Sequence, residues 1–82
     1  MTVVLEADVI RLRGDCPVGD AETLVALLQE VPGRMVDLTG AGTLHTAVIQ
    51  VLLALRPQVL GPVGNPFVDR WIAPLLPMGR SG

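Results

Sequence analysis

Short runs of β-branched residues alternate along this chain with segments whose apolar residues recur at helical spacing, and this alternation most constrains the fold. Residues 2–6 and 9–13 predict two strands joined by the turn Ala7-Asp8, which is typical of an antiparallel hairpin. Residues 34–38 and 58–61 predict two further strands, each preceded by a helix. Strands that alternate with helices favour parallel pairing, so the sequence predicts a four-stranded mixed sheet in an α/β fold.

Three helices are expected, which gives the element order ββαβαβα in a single domain over residues 1–82. The first begins near Pro17 and ends before Pro32. The second has the most regular apolar stripe, formed by Leu44, Ala47, Val48, Val51, Leu52 and Leu55. The third opens at Asn65, with N-cap character, and Pro74 is expected to distort its last turn.

Composition excludes several classes of protein. The chain has 82 residues, of which 50% are hydrophobic and 17% charged, so a folded domain is expected rather than a disordered chain. No apolar run approaches the ~20 residues that a membrane span requires, so we expect no membrane insertion. A net charge of −2 argues against nucleic acid as a partner. A single cysteine, Cys16, and the lack of an export signal favour a cytoplasmic location.

Three predicted loops are expected to meet beyond the carboxyl ends of the parallel strands, where binding sites of such sheets gather. They are residues 15–17, 39–46 and 61–65. Cys16 and His45 would lie there, but a structural zinc site needs about four ligands, so no metal is expected. The glycines of residues 39–43 lack the lysine of a phosphate-binding loop, since the chain contains no lysine. We therefore expect no cofactor and no enzyme, with a Cys16–His45 nucleophile pair as a distant alternative.

Local signals suggest roles for three further groups of residues. Thr43 and Thr46 are candidates to cap the second helix, because a hydroxyl can accept a free N–H there. Phe67 and Trp71 form an i,i+4 aromatic pair that we expect to cover the sheet, with an interface anchor as the alternative. Because half of a small chain is apolar, some apolar surface should remain exposed, either as a patch for a partner protein or a homodimer or as residues scattered singly over the surface.

The central segment, residues 36–55, resembles the STAS domain family of anti-sigma-factor antagonists and transporter regulatory domains. Residues 37–40 (Asp-Leu-Thr-Gly) correspond to the family's Asp-Leu-Ser-Gly, and residues 45–48 (His-Thr-Ala-Val) fall where its Asp-Ser-Ser-Gly lies. The preceding hairpin and Gly14 also match the family's opening. The resemblance implies a STAS-like fold and a non-catalytic protein-interaction module in bacterial regulation.

The resemblance also implies where a partner binds. In the family, a phosphorylated hydroxyl at the start of the second helix blocks docking of an anti-sigma-type kinase, but here that position is Ala47. Thr46, one residue early, is the single hydroxyl left in the motif, so we expect the phosphorylation switch to be missing. The implied interaction residues are Gly42, Thr43, His45, Thr46 and Ala47. A Thr-Ala pair also occurs in STAS subunits of lipid-transporting ABC systems, so an accessory subunit bound to a transporter ATPase is the alternative.

Overall fold

A computed structural model describes residues 2–77. In chain order the elements are β1 (Val3–Glu6), β2 (Val9–Leu12), β3 (Gly14–Cys16), α1 (Gly19–Glu30), β4 (Met35–Asp37), β5 (Ala41–Leu44), α2 (Thr46–Leu55) and β6 (Val59–Leu60), followed by a π-helical turn (Val68–Ile72) and a 3₁₀ turn (Ala73–Leu75). The main sheet has the order β1-β2-β4-β6. β1 runs antiparallel to β2, whereas β4 is parallel to both its neighbours. The predicted four-stranded mixed sheet with three helical segments is thus confirmed.

The hairpin between β1 and β2 closes through a two-residue turn in which both residues have left-handed backbone. Ala7 has a φ of 50° and Asp8 a φ of 63°. Two such residues form a type I′ turn, whose twist matches that of the strands it joins. The register is continuous from Val3 opposite Leu12 to Glu6 opposite Val9. The pattern of the two strands therefore sets the hairpin, although the turn lacks the Asn-Gly pair that usually favours it.

A second, two-stranded sheet lies where the sequence predicted only loops. β3 and β5 pair in parallel, with Gly14 opposite Ala41 and Cys16 opposite Leu44. The expectation that residues 39–43 form a plain loop and that Leu44 belongs to the second helix is therefore wrong. Both strands are too short to show a periodic pattern, and their partners lie far apart in the sequence.

One hydrophobic core unites the sheet with the helices. Ile10, Val36 and Val59 are neighbours across three strands, and each is completely buried. α1 adds Leu24 to the core and α2 adds Val48, Leu52 and further partly buried side chains. Within residues 2–77, none of the helices combines the length and the apolar character needed to cross a membrane.

Arg34 joins the end of α1 to the main sheet. Its guanidinium is buried and donates to the Leu27 carbonyl at 2.9 Å and to the Glu30 carboxylate at 3.0 Å. The carbonyls in the last turn of a helix lack partners within the helix, so this contact satisfies one of them. The side chain therefore fixes the connection between α1 and β4.

The last helical segment begins as predicted and then departs from a regular helix. The Asn65 side chain accepts the N–H groups of Phe67 at 2.9 Å and Val68 at 3.1 Å, which confirms its capping role. Pro74 lies in the 3₁₀ turn, so the expected distortion of the last turn is also confirmed.

The aromatic pair of this segment faces outward. Val68 and Ile72 enter the core, whereas Phe67 remains 57% exposed and Trp71 59% exposed. The expectation that the pair covers the sheet is therefore wrong. The aliphatic neighbours of both aromatic residues occupy the inner side of the segment. The Arg70 guanidinium lies 5.2 Å from the centre of the Trp71 ring, a cation–π distance.

The strained turn gives a test of the hairpin. Replacing Ala7 by Asn should raise the free energy of unfolding by about 0.5–1 kcal/mol, because asparagine tolerates left-handed backbone better than alanine. The measurement is urea unfolding followed by circular dichroism. Ala54→Asn, at an exposed helical position, is the matched control and should lower stability. An unchanged or lower stability of Ala7→Asn would contradict the turn assignment.

Candidate interaction site at the start of α2

The three loops expected to meet do so at the start of α2. The Asp15 carboxylate accepts the Thr43 N–H at 2.8 Å, and the Asn65 side-chain amide donates to the Gly42 carbonyl at 2.6 Å. The His45 N–H donates to the Cys16 carbonyl at 2.9 Å. Segments near residues 15, 43 and 65 are thereby tied together. The three predicted segments therefore do come together, although two of them form the paired strands β3 and β5 rather than loops.

Two glycines allow this close approach. A Cβ atom at Gly42 would lie 2.5 Å from an Asp15 carboxylate oxygen and 3.1 Å from the Gly14 backbone. A Cβ atom at Gly64 would lie 2.7 Å from the Thr39 carbonyl oxygen. A larger residue at Gly64 would force the backbone to shift, whereas at Gly42 it would displace the Asp15 side chain and press against the Gly14 backbone. Gly42 and Gly64 therefore serve the packing of the loops against each other.

His45 caps α2, a role that the sequence analysis assigned to threonine. Its backbone is extended, and its Nδ1 accepts the Ala47 N–H at 3.0 Å. Capping by Thr43 or Thr46 was therefore wrongly predicted. Thr43 belongs to β5 and Thr46 is already the first helical residue, so neither holds the position before the helix. The imidazole occupies that position and satisfies one N–H of the first turn.

The residues implied by the STAS resemblance form one continuous, mostly exposed segment. Thr43, His45 and Thr46 are exposed, whereas Gly42 and Ala47 are half-buried. The first turn of α2 contains no acidic residue. Beside it lies a cleft of about 440 Å³, lined by Asp15, Cys16, Pro17, Thr43 and His45. The start of α2 thus presents a small, uncharged surface next to a shallow cleft.

Cys16 and His45 line the same cleft, as expected, but the thiol is in a poor state for nucleophilic attack. Cys16 is only 2% exposed. Burial, together with the nearby carboxylates of Asp20 and Asp15, raises the pKa of the Cys16 thiol to about 11. Roughly one thiol in ten thousand is then ionised at pH 7. Within residues 2–77, no three His, Cys, Asp or Glu side chains gather as a metal-ligand group.

A buried carboxylate of the Asp-Leu-Thr-Gly motif holds the chain where it leaves β4. Asp37, at the end of β4, is 6% exposed. It accepts the Thr39 N–H at 2.9 Å and the Thr39 hydroxyl at 2.6 Å, and it forms an ion pair with Arg11 of β2. Arg11 also contacts the Glu6 carboxylate at 3.0 Å. The sequence signal was the Asp-Leu-Thr-Gly motif, which contains both Asp37 and Thr39.

The pKa of Asp37 results from opposing effects. Burial of the carboxyl would raise its pKa, but the two hydrogen bonds from Thr39 and the Arg11 guanidinium together lower the pKa below its ordinary value. Asp37 is therefore ionised near neutral pH. Its charge orders the backbone that leaves β4 toward the site.

Comparison with known proteins adds no identification. The chain matches no protein-family model, no curated protein and no solved structure. The likeness to STAS domains therefore rests on the motif in residues 36–55.

The state of Cys16 can be tested by thiol labelling. In the folded chain at pH 7, Cys16 should react with a disulfide reagent at least about a hundredfold more slowly than in urea, because the thiol is buried and protonated. The double variant Cys16→Ala, Thr23→Cys is the control, since Thr23 is exposed on α1 and a cysteine there should react at once. Equal rates for the folded wild type and this control would show that Cys16 is a reactive thiol.

The Asp37 network predicts acid sensitivity. Asp37→Asn should lower the free energy of unfolding at pH 7 by about 2 kcal/mol, because bonds to a charged group are lost. Since the folded pKa is lowered, this stabilisation is full above the unfolded Asp pKa of about 4 and is lost as pH falls through the folded value. Urea unfolding between pH 7 and pH 2.5 measures both effects.

The control for this experiment is Asp69→Asn, at an exposed position. It should change stability little at any pH. The difference in stability between wild type and Asp37→Asn should shrink on acidification. A difference that stays constant down to pH 2.5 would contradict the role given to the Asp37 carboxylate.

Proposed function

We propose that this chain is a non-catalytic protein-interaction module of the STAS type, which resembles an anti-sigma-factor antagonist and acts in bacterial regulation. The supporting observation is the uncharged start of α2, where Thr46 is exposed and Ala47 half-buried between loops that hydrogen bonds hold together. Apart from the Asp15 carboxylate in the neighbouring cleft, this surface carries no charged side chain. It therefore suits a partner that docks by shape over Thr46 and Ala47, where no charge has to be desolvated.

The same residues support the proposal that the module works without the phosphorylation switch. Ala47 stands at the family's usual phosphoacceptor position and has no hydroxyl. Thr46 is exposed and remains the one candidate phosphoacceptor of the motif, one residue early. A phosphate on Thr46 would lie at the first helical residue, where the helix dipole favours an anion. Because position 47 has no hydroxyl, docking would depend on the amount of partner rather than on phosphorylation of that position.

The proposed partner is an anti-sigma-type kinase. A second candidate is the ATPase of a lipid-transporting ABC system, which the Thr46-Ala47 pair favours. Both partners would use the segment formed by Gly42, Thr43, His45, Thr46 and Ala47. We propose no cofactor, no nucleic acid and a cytoplasmic location for either case.

A charge at Ala47 separates binding from folding. Ala47→Glu should leave the fold nearly intact, because the start of a helix favours a carboxylate by about 0.3–1 kcal/mol. A partner docked over position 47 would bury the same charge unpaired, at a cost of several kcal/mol, so affinity should fall by about a hundredfold or more. The measurement is quantitative capture of the anti-sigma-type kinase or ABC ATPase from the source organism, followed by titration calorimetry.

Three variants serve as controls. Ala47→Gln has a similar size without the charge and should lose less affinity. Ala54→Glu places the same charge at an exposed position of α2 and should bind as wild type. Val48→Glu replaces a completely buried side chain and should unfold the domain. Val51, one turn further along α2, is only half-buried, so a glutamate there would be a weaker unfolding control. Unchanged capture by a folded Ala47→Glu, or capture of neither partner by the wild type, would contradict the proposal.

A further inference from the structure

The two outer edges of the main sheet differ in how they are covered. At one edge, the Val59 N–H of β6 donates to the Pro77 carbonyl at 2.8 Å, so later chain lies against that strand. At the other edge, β1 pairs with β2, and nothing else within residues 2–77 pairs with it. An unpaired strand edge is a template for another strand.

The hairpin register shows which backbone groups of β1 point outward. The Arg13 N–H donates to the Thr2 carbonyl at 2.8 Å, and Val4 lies opposite Arg11. Hydrogen-bonded and non-hydrogen-bonded pairs alternate along an antiparallel ladder. The even-numbered residues of β1 therefore bond to β2, and the N–H and C=O groups of Val3 and Leu5 face outward.

Apart from its shortness, β1 lacks the usual protection of an edge strand. It contains no proline and no lysine, and its pairing with β2 has no bulge. Its one charge, Glu6, is neutralised by Arg11 at 3.0 Å and by Arg13 at 2.7 Å. Val4 is half-buried and Leu5 is 39% exposed. Natural proteins place such charges and prolines on edges to prevent pairing with other chains.

We infer that β1 pairs antiparallel with β1 of a second copy of this chain, with Val3 opposite the second copy's Leu5 and Val4 at the two-fold axis. In this register the outward N–H and C=O groups of Val3 and Leu5 in both copies are all paired, which gives four hydrogen bonds between the copies. Moving the axis toward the turn would require Ala7, whose φ of 50° is not extended. Moving it the other way would leave Leu5 opposite no residue of the strand, which begins at Val3.

The same features favour a second copy over an unrelated peptide. A two-fold pair needs a strand that is its own complement, and β1 is apolar, nearly neutral and centred on a β-branched residue. β1 has only four residues, so the contact is small and the dimer should depend on concentration. The pairing uses none of residues 42–47, so it is independent of the function proposed above.

Charges at the two-fold axis give a specific test. Val4 side chains of the two copies would be directly opposite, where like charges repel. Val4→Lys and Val4→Glu alone should each associate at least about tenfold more weakly than wild type in sedimentation equilibrium. An equimolar mixture of the two variants should regain a mass near twice 8.7 kDa. Thr23→Lys and Thr23→Glu, exposed on α1, change the net charge equally and should associate like the wild type.

Circular dichroism would show whether a charge at Val4 disturbs the fold. If it does, a second variant tests the pairing without adding a charge. Leu5→Pro removes an outward N–H without removing a bond to β2, and proline is tolerated on edge strands. A folded Leu5→Pro variant should be monomeric. A wild type that stays monomeric at every concentration, a folded Leu5→Pro that still dimerises, or charge variants that neither weaken association alone nor restore it when mixed would overturn the inference.

Discussion

The buried carboxylate of Asp37 is the contact on which the rest of the arrangement depends. It lies at the end of the central strand β4, pairs with Arg11 of β2 and accepts two hydrogen bonds from Thr39. An ionised group this buried is stable only because each of these partners is present. Through Arg11 the carboxylate joins β4 to β2, and through Thr39 it holds the chain that leads into β5. The position of α2 follows from that exit, since α2 begins two residues after β5 ends.

Hydrogen bonds to the backbone also fix the start of α2, next to the core residues Leu44 and Val48. β3 and β5 form a short parallel pair, and the neighbouring chain approaches so closely that a Cβ atom at Gly64 would meet the Thr39 backbone and one at Gly42 would meet the Asp15 side chain. His45 adds the cap that orders the first helical turn. A small exposed surface held in one conformation loses little conformational entropy when a partner binds. This rigidity suits the docking role proposed for Thr46 and Ala47.

The fold offers two separate surfaces for association. The proposed docking surface lies at the carboxyl ends of the parallel strands, and the proposed self-association edge runs along β1. They also differ in chemistry, since one presents side chains at a helix start and the other presents backbone N–H and C=O groups. Both proposals use surface that folding leaves exposed: the Thr46 side chain in one case and the outward backbone groups of β1 in the other.

Alternation and helical periodicity in the sequence determined the hairpin, both long helices and the mixed order of the main sheet, because these patterns record which face of each element is buried. The sequence also located the three segments of the candidate site, although it predicted loops where the structure has β3 and β5. Tertiary structure alone decided four other features: the β3–β5 pair, the cap supplied by His45, the burial that keeps the Cys16 thiol protonated, and the outward position of Phe67 and Trp71. Burial of Cys16, the β3–β5 pair and the position of the aromatic residues depend on which distant segments lie against them. His45 becomes the cap because β5, paired with the distant β3, extends to Leu44 and leaves His45 directly before the helix. A local pattern of apolar and polar residues does not contain that information.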